Sequence, residues 1–317
     1  MLFEKQIVNT FRANFLRRCD DTGTAYYFSA ADFPGLEAEP FSFPSCKGHE
    51  LKGYFYHYGN PIPGRIVVFD HGFGGGHRSY MKEIELLCRH GYLVFSYDHT
   101  GCMESGGENI GGFTQSLVDL NDCLTALKAT ERCRGLDFSV MGHSWGGFST
   151  LNICALHPDV SHIVVLSGFV SVNKLVESFF SGIMKGYRKA ILALENNPDF
   201  GHYNAVESLS GTNARVLLVY SENDKMVNKA VHFDTLKNGL SHKENIRFLL
   251  VENKGHNPNY TADAVAYLGE YSADVARKAK KLTTAEARKA YVDSWDWHRM
   301  TAQDETVWAE IFKTLDA

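Results

Sequence analysis

The chain has 317 residues, of which 44% are hydrophobic and 22% are charged, so it can bury a large core without disulfides or metals. Its formal net charge of −5 is mild, and the absence of a long Lys/Arg run argues against nucleic acid as a partner. No apolar run reaches the length of about 20 residues that crosses a bilayer, so we expect no stable membrane association.

The cysteines and the N-terminal residues bear on the cellular compartment. There are seven cysteines, and none lies in a CxxC pair or at another metal-ligand spacing. This pattern is typical of reduced thiols in the cytoplasm. The first twenty residues are interrupted by charges and lack the apolar stretch of a signal peptide. We therefore expect a cytoplasmic protein with no metal site and no cofactor, whose oligomeric state the sequence does not indicate.

Two short segments, Tyr26–Phe33 and Glu50–Tyr58, are predicted to be antiparallel strands that lead into a larger sheet. After them, apolar runs alternate with longer segments of helical periodicity. Runs that are apolar nearly throughout are typical of parallel strands buried on both faces. The alternation predicts an α/β fold with a doubly wound, mostly parallel sheet. The predicted strands are Arg65–Phe69, Tyr92–Tyr97, Asp137–Met141, His162–Leu166, Arg215–Tyr220 and Ile246–Val251, and the predicted helices between them include Tyr80–His90, Phe113–Thr130 and Gly146–Leu156.

Residues 170–214 separate two predicted strands and are too many for a simple crossover. A helical face is predicted there, because apolar residues recur every four positions, namely Leu175, Phe179, Ile183, Tyr187 and Ile191. We interpret this insertion as a short helical lid over a site. A surface excursion that only packs on the core is the alternative.

The last part of the chain, residues 260–317, is predicted to be a helical tail. The domain organisation is then a core of residues 1–169 and 215–317, with residues 170–214 as the lid insertion. One helix is enough to complete a doubly wound sheet, so this tail is longer than the fold needs. The sequence leaves open whether it covers a sheet edge, borders the site or meets another subunit.

The strongest chemical signal is the segment Gly142-His143-Ser144-Trp145-Gly146-Gly147, which follows a predicted strand and leads into a predicted helix. A serine on such a sharp strand-to-helix turn is lifted out of the sheet, and small neighbours relieve the crowding. The helix N-terminus behind it favours developing negative charge. Ser144 is therefore the candidate nucleophile.

A serine hydroxyl needs a base to take its proton, and the base needs a carboxylate to orient it. His256 follows the last predicted strand, so it lies at the carboxyl edge of the sheet, where sites form. Asp224 follows the preceding strand and is the candidate partner of His256, with Glu222 as its competitor. The chain order Ser, Asp, His is typical of α/β-hydrolases.

A second glycine-rich segment, Asp70–Gly76, follows the strand that begins at Arg65. Glycines there let the backbone approach a substrate closely. We expect the backbone N–H groups of Phe73 and Trp145 to form an oxyanion hole. A dinucleotide-binding loop is excluded by spacing, because His77 occupies the position of the third glycine.

The chain resembles the α/β-hydrolase superfamily in four segments: HGFGGG at 71–76, GHSWGG at 142–147, SEND at 221–224 and KGH at 254–256. It is most similar to the compact branch of serine aminopeptidases, monoacylglycerol lipases and cinnamoyl esterases. The resemblance implies that Asp98 braces the oxyanion loop. His143 stands where proline iminopeptidases usually carry glycine.

These observations lead to the hypothesis of a carboxylic ester hydrolase that works through an acyl-enzyme. An aminopeptidase or amidase, and a thioesterase or acyltransferase, would use the same triad. From another class, a ligand-binding module on this fold is the non-enzymatic alternative. Acidic residues of the lid could hold a substrate amino group, but a solvated helix face explains them equally well: Glu177, Glu195, Asp199 and Glu207. The candidates for the pocket of a small ester or amide are His77, Tyr80, Phe169, Phe179, Phe180 and Met184.

Overall fold

The computed structural model describes residues 3–195 and 197–317. Within these residues, one sheet is formed by β1 (Leu36–Pro44), β2 (Glu50–Tyr58), β3 (Arg65–Asp70), β4 (Leu93–Tyr97), β5 (Asp137–His143), β6 (His162–Leu166), β7 (Arg215–Ser221) and β8 (Ile246–Val251). The strand order is β1-β2-β4-β3-β5-β6-β7-β8. β2 pairs antiparallel with β1 and β4, and the remaining pairs are parallel. The predicted mostly parallel, doubly wound α/β sheet is confirmed.

The predicted strand at Tyr26–Phe33 is wrong. This segment contains a 3₁₀ turn at Ala30–Asp32, which forms because the Asp32 carboxylate accepts a hydrogen bond from the Ser29 amide at 2.7 Å. The first strand is instead β1, which pairs with β2 along its whole length. β1 was not predicted from the sequence because it contains prolines, which are uncommon in strands. They are tolerated here because β1 is an edge strand.

The α-helices that surround the sheet are α1 (Glu4–Phe15), α2 (Met81–Arg89), α3 (Gln115–Ala129), α4 (Ser144–Asn152), α5 (Val172–Phe179), α6 (Arg188–Leu192), α7 (Ala205–Ser210), α8 (Phe233–Leu240), α9 (Ala262–Lys278), α10 (Ala285–Asp293), α11 (Trp297–Met300) and α12 (Glu305–Leu315). Neighbouring strand residues point into two different cores. Val68 packs with α3 and α4 on one face, whereas Val67 packs with α2 and α12 on the other. Burial on both faces explains why the parallel strands are apolar throughout. None of the helices in the described residues is long and apolar enough to cross a membrane.

The single helical face predicted within residues 170–214 is wrong. The segment contains α5, a 3₁₀ helix at Gly182–Tyr187, and then α6. α5 ends at Phe179, because its C-cap Phe180 leaves the helical conformation, and Gly182 then begins the 3₁₀ helix in a left-handed conformation with φ 56°. Ile183, which was expected on the buried face, is 94% exposed.

The helical tail at 260–317 is confirmed, and its last helix belongs to the core. α12 buries Trp308 and Ile311 against the sheet. It begins after Asp304, whose side chain accepts hydrogen bonds from the Thr306 and Val307 amides. α9, α10 and α11 precede it as a largely exposed excursion.

Candidate active site

Ser144 stands at the junction of β5 and α4 in a strained backbone conformation, with φ 55°. Glycines on either side allow this sharp turn. A Cβ added to Gly142 would lie 2.4 Å from the Gly146 carbonyl oxygen, and one on Gly146 would lie 2.1 Å from the Asp70 carbonyl oxygen. The GHSWGG segment therefore folds as a tight elbow that presents the serine at the carboxyl edge of the sheet.

The structure brings the three predicted catalytic side chains into one hydrogen-bonded line. Ser144 Oγ lies 2.8 Å from His256 Nε2, and His256 Nδ1 lies 2.8 Å from Asp224 Oδ2. With Nδ1 protonated toward the carboxylate, Nε2 is free to accept the serine proton. These side chains come from the ends of β5, β7 and β8, whose carboxyl edges meet here.

Asp224 is placed to remain ionised. Its Oδ1 accepts hydrogen bonds from the Met226 and Val227 amides at 2.8 and 3.0 Å. Burial alone would raise the pKa of Asp224, but the hydrogen bond and charge of His256 and these two amides lower it below its usual value. Glu222, the competing carboxylate, is exposed and its side chain is not placed against His256.

The loop that carries His256 is held by the C-terminal tail. Lys254 Nζ donates to the Tyr260 carbonyl oxygen at 2.6 Å and forms an ion pair with Asp304 at 2.5 Å. Asn259 adds hydrogen bonds to Glu83 in α2 and to Gln303. The tail thus both covers a face of the sheet and borders the site.

The glycine-rich loop after β3 is braced from below by Asp98. Its Oδ1 accepts from both the amide and the imidazole Nδ1 of His77 at 2.8 Å, and its Oδ2 accepts from the Glu104 amide. The amide of Trp145 lies in the first turn of α4, where helical N–H groups lack intrahelical partners. Phe73 packs edge-on against the Trp145 ring, with centroids 6.1 Å apart. The loop and the elbow are therefore adjacent, as an oxyanion hole requires.

A small apolar cavity of about 50 Å³ lies beside Ser144. Two predicted pocket residues, Phe169 and Phe179, line it. The other lining residues are Phe15, Phe73, Phe113, Trp145, Leu175, Met226 and Val227. All of these side chains are uncharged, so the cavity suits an apolar group.

The other four predicted pocket residues do not line this cavity. His77 is 1% exposed and its ring is held between Asp98 and the Tyr56 hydroxyl. The Tyr80 hydroxyl is engaged by backbone and imidazole groups next to the elbow. Two residues of the 170–214 segment instead pack into the main core: Phe180 and Met184.

Helix α1 contributes to the site, which the sequence did not predict. Phe15 reaches the cavity from this helix, and Phe11 packs behind it at a centroid distance of 4.9 Å. The residues after α1 hold it in place, because Arg18 donates to the Ser105 and Gly107 carbonyl oxygens at 2.8 Å. The signal in the sequence was two phenylalanines four positions apart in an amphipathic segment.

Comparison with known proteins agrees with this arrangement. Residues 61–247, more than half of the chain, match the family described as "Serine aminopeptidase, S33". The chain belongs to this family. It is an α/β-hydrolase, as the resemblance in its motifs implied.

Solved structures similar to this S33 family hydrolase include two esterases. Esterase Pf2001 of Pyrococcus furiosus aligns with a TM-score of 0.61 and 16% identity over 84% of this chain and 98% of that one. Acetyl xylan esterase 1 from Thermoanaerobacterium sp. JW/SL YS485 aligns with a TM-score of 0.55 and 14% identity, over 81% of this chain and 89% of that one. At sequence identities this low, the similarity shows only that the fold is shared.

Among curated proteins, the uncharacterized protein YqkD of Bacillus subtilis (strain 168) is 27% identical over 144 residues. That match covers 45% of this chain and 45% of YqkD, which is less than half the length of this relative.

Proposed function

We propose that this S33 family hydrolase cleaves small carboxylic esters, with Ser144 as nucleophile, His256 as general base and Asp224 as the group that orients His256. One observation carries the proposal: the unbroken hydrogen-bonded line from Ser144 Oγ through both imidazole nitrogens to a buried carboxylate. A serine hydroxyl held against a neutral imidazole is the arrangement that activates this weak nucleophile.

In the first half of the reaction, Ser144 Oγ attacks the ester carbonyl while His256 Nε2 takes its proton. The resulting oxyanion is stabilised by the backbone N–H groups of Phe73 and Trp145, each contributing on the order of 3 kcal/mol. Asp224 stabilises the imidazolium that forms. His256 then gives the proton to the leaving alcohol, and the acyl group stays on Ser144.

In the second half, His256 takes a proton from a water molecule, and the water attacks the acyl-enzyme. The same two amides stabilise the second oxyanion. Collapse of this intermediate releases the carboxylic acid and returns the proton from His256 to Ser144 Oγ. Ester cleavage thus needs only side chains and amides that lie at the carboxyl edge of the sheet.

The cavity favours an apolar acyl group over an aminoacyl group. A substrate ammonium group would be desolvated among the phenylalanines without a charged partner, which is unfavourable. Glu195, one of the acidic candidates for holding such a group, already accepts hydrogen bonds from the Phe113 and Thr114 amides at 2.9 Å. Residues 170–214 supply Leu175 and Phe179 to the cavity, which supports their role as a lid.

The test is labelling with a fluorophosphonate probe, because it requires an activated serine and no knowledge of the substrate. We expect labelling of the wild type and none of Ser144→Ala. Ser178→Ala is the matched control, since Ser178 precedes the cavity residue Phe179 in α5 and, among the described residues, its hydroxyl bonds only to the Leu175 carbonyl oxygen. A panel of short esters, acyl-CoA thioesters and aminoacyl amides then separates the substrate classes. Folded wild type that does not label, or that turns over only the amides, would contradict the proposal.

A further inference from the structure

A second hydrogen-bonded chain runs behind the catalytic line. The Gly72 amide donates to the Tyr80 hydroxyl at 3.1 Å, and the Tyr80 hydroxyl lies 2.8 Å from His143 Nδ1. His143 Nε2 lies 2.8 Å from the backbone carbonyl oxygen of His256. This hydrogen-bonded chain therefore connects the glycine-rich loop, the nucleophile elbow and the loop of the catalytic histidine.

Only one arrangement of protons satisfies every member of this chain. The His256 carbonyl can only accept, so Nε2 of His143 carries the proton and Nδ1 is an acceptor. Tyr80 then donates its single O–H to Nδ1 and accepts from Gly72 N–H. Burial lowers the pKa of His143 to about 3, which keeps the imidazole neutral and preserves this tautomer around neutral pH.

The three segments connected by these hydrogen bonds carry the groups that are proposed to react. Gly72 precedes the oxyanion donor Phe73, His143 precedes Ser144, and the carbonyl belongs to His256 itself. The fit at Gly72 is close, because a Cβ there would lie 2.4 Å from the Tyr80 hydroxyl oxygen. Loss of one of these hydrogen bonds would therefore directly alter the spacing between the nucleophile, the base and the oxyanion donor.

We propose that Tyr80 and His143 are positioning residues, which set the distance between the oxyanion loop, the nucleophile and the general base through this chain. The inference rests on the proposed function. Small displacements of reacting groups are costly, since a misplacement of about 1 Å reduces rates on the order of 100-fold.

The decisive variant is Tyr80→Phe, which keeps the ring against Phe69 and removes both hydrogen bonds of the hydroxyl. We expect kcat on a short ester to fall about 10- to 100-fold, with KM changed less than about twofold. Tyr92→Phe is the matched control, because the hydroxyl of the buried Tyr92 donates a hydrogen bond to Asp316 at the opposite end of the sheet. Its kinetics should equal those of the wild type.

His143 provides an independent variant and a rescue. His143→Leu removes both hydrogen bonds and should lower kcat at least as far as Tyr80→Phe. His143→Gln retains an N–H donor for the His256 carbonyl and should recover part of the loss. Because both residues act through the same hydrogen-bonded chain, kcat of the double variant Tyr80→Phe/His143→Leu should be no lower than kcat of His143→Leu alone.

The outcomes separate this inference from the proposed function. A wild type that fails to label with fluorophosphonate refutes the proposed function and the positioning role with it. If the wild type labels, and Tyr80→Phe and His143→Leu are folded with kcat within about twofold of wild type, only the positioning role is refuted. Equal losses in Tyr80→Phe and in the Tyr92→Phe control would also overturn it, because they would reflect general destabilisation.

Discussion

Replacing Phe15 with alanine should change which acyl chains the enzyme accepts. The Phe15 ring closes the cavity beside Ser144 and lies 6.1 to 6.2 Å, centroid to centroid, from Phe73, Phe113 and Phe179. The cavity of about 50 Å³ leaves room for only a short acyl group. Without the ring, we expect space for two or three further methylene groups.

The expected change in kcat/KM follows from the free energy of burying apolar groups. Each methylene that becomes buried contributes about 0.8 kcal/mol, which corresponds to about a fourfold gain in kcat/KM. Phe15→Ala should therefore raise kcat/KM for hexanoyl or octanoyl esters, relative to the acetyl ester, by roughly 15- to 60-fold. The assay is hydrolysis of p-nitrophenyl esters from acetate to octanoate. Phe41→Ala is the control, because Phe41 is a partly buried phenylalanine of β1 outside the cavity. An unchanged chain-length profile in folded Phe15→Ala would refute the assignment of this cavity to the acyl group.

Three further predictions test the site and its surroundings. Asp224→Asn should lower kcat by on the order of 10⁴-fold, because the wrong histidine tautomer would be favoured, whereas Glu222→Gln should leave kcat unchanged. Ser144→Gly and Ser144→Ala should both abolish esterase activity, but thermal unfolding should show the glycine variant more stable by about 1 kcal/mol, since it relieves the positive φ. Burial raises the pKa of Glu83 to about 7, above its unfolded value, so its contribution to stability is present at low pH and lost as pH rises through about 7. Glu83→Gln should therefore unfold at a higher temperature than wild type at pH 8 and lose this advantage at pH 5. Identical pH dependence of melting in the two proteins would contradict this reasoning.

The sequence was sufficient where a candidate catalytic residue lies next to its own strand. Ser144, Asp224 and His256 each follow a parallel strand, and the carboxyl ends of those strands meet by the topology of the fold. Local pattern therefore predicted which side chains would come together. The same reasoning predicted the parallel strands, because burial on both faces leaves a continuous apolar run.

Features that depend on contacts between distant segments could not be predicted in this way. Phe15 reaches the cavity because α1 packs on the core and Arg18 fastens the end of this helix to a loop about 85 residues later in the chain. The clamp between Lys254 and Asp304 likewise depends on how the tail folds back. The end of α5 at Phe179 shows the opposite limit, because the apolar spacing of four residues continues in the sequence beyond the point where the helix stops.

The site combines segments that lie far apart in the chain, and this has a consequence for its biosynthesis. Phe15 leaves the ribosome long before Asp304, which holds the loop of His256. A nascent chain that has already formed the Ser144 elbow still lacks the anchor of the His256 loop. We therefore expect no hydrolase activity until α12 has been synthesised and docks on the sheet.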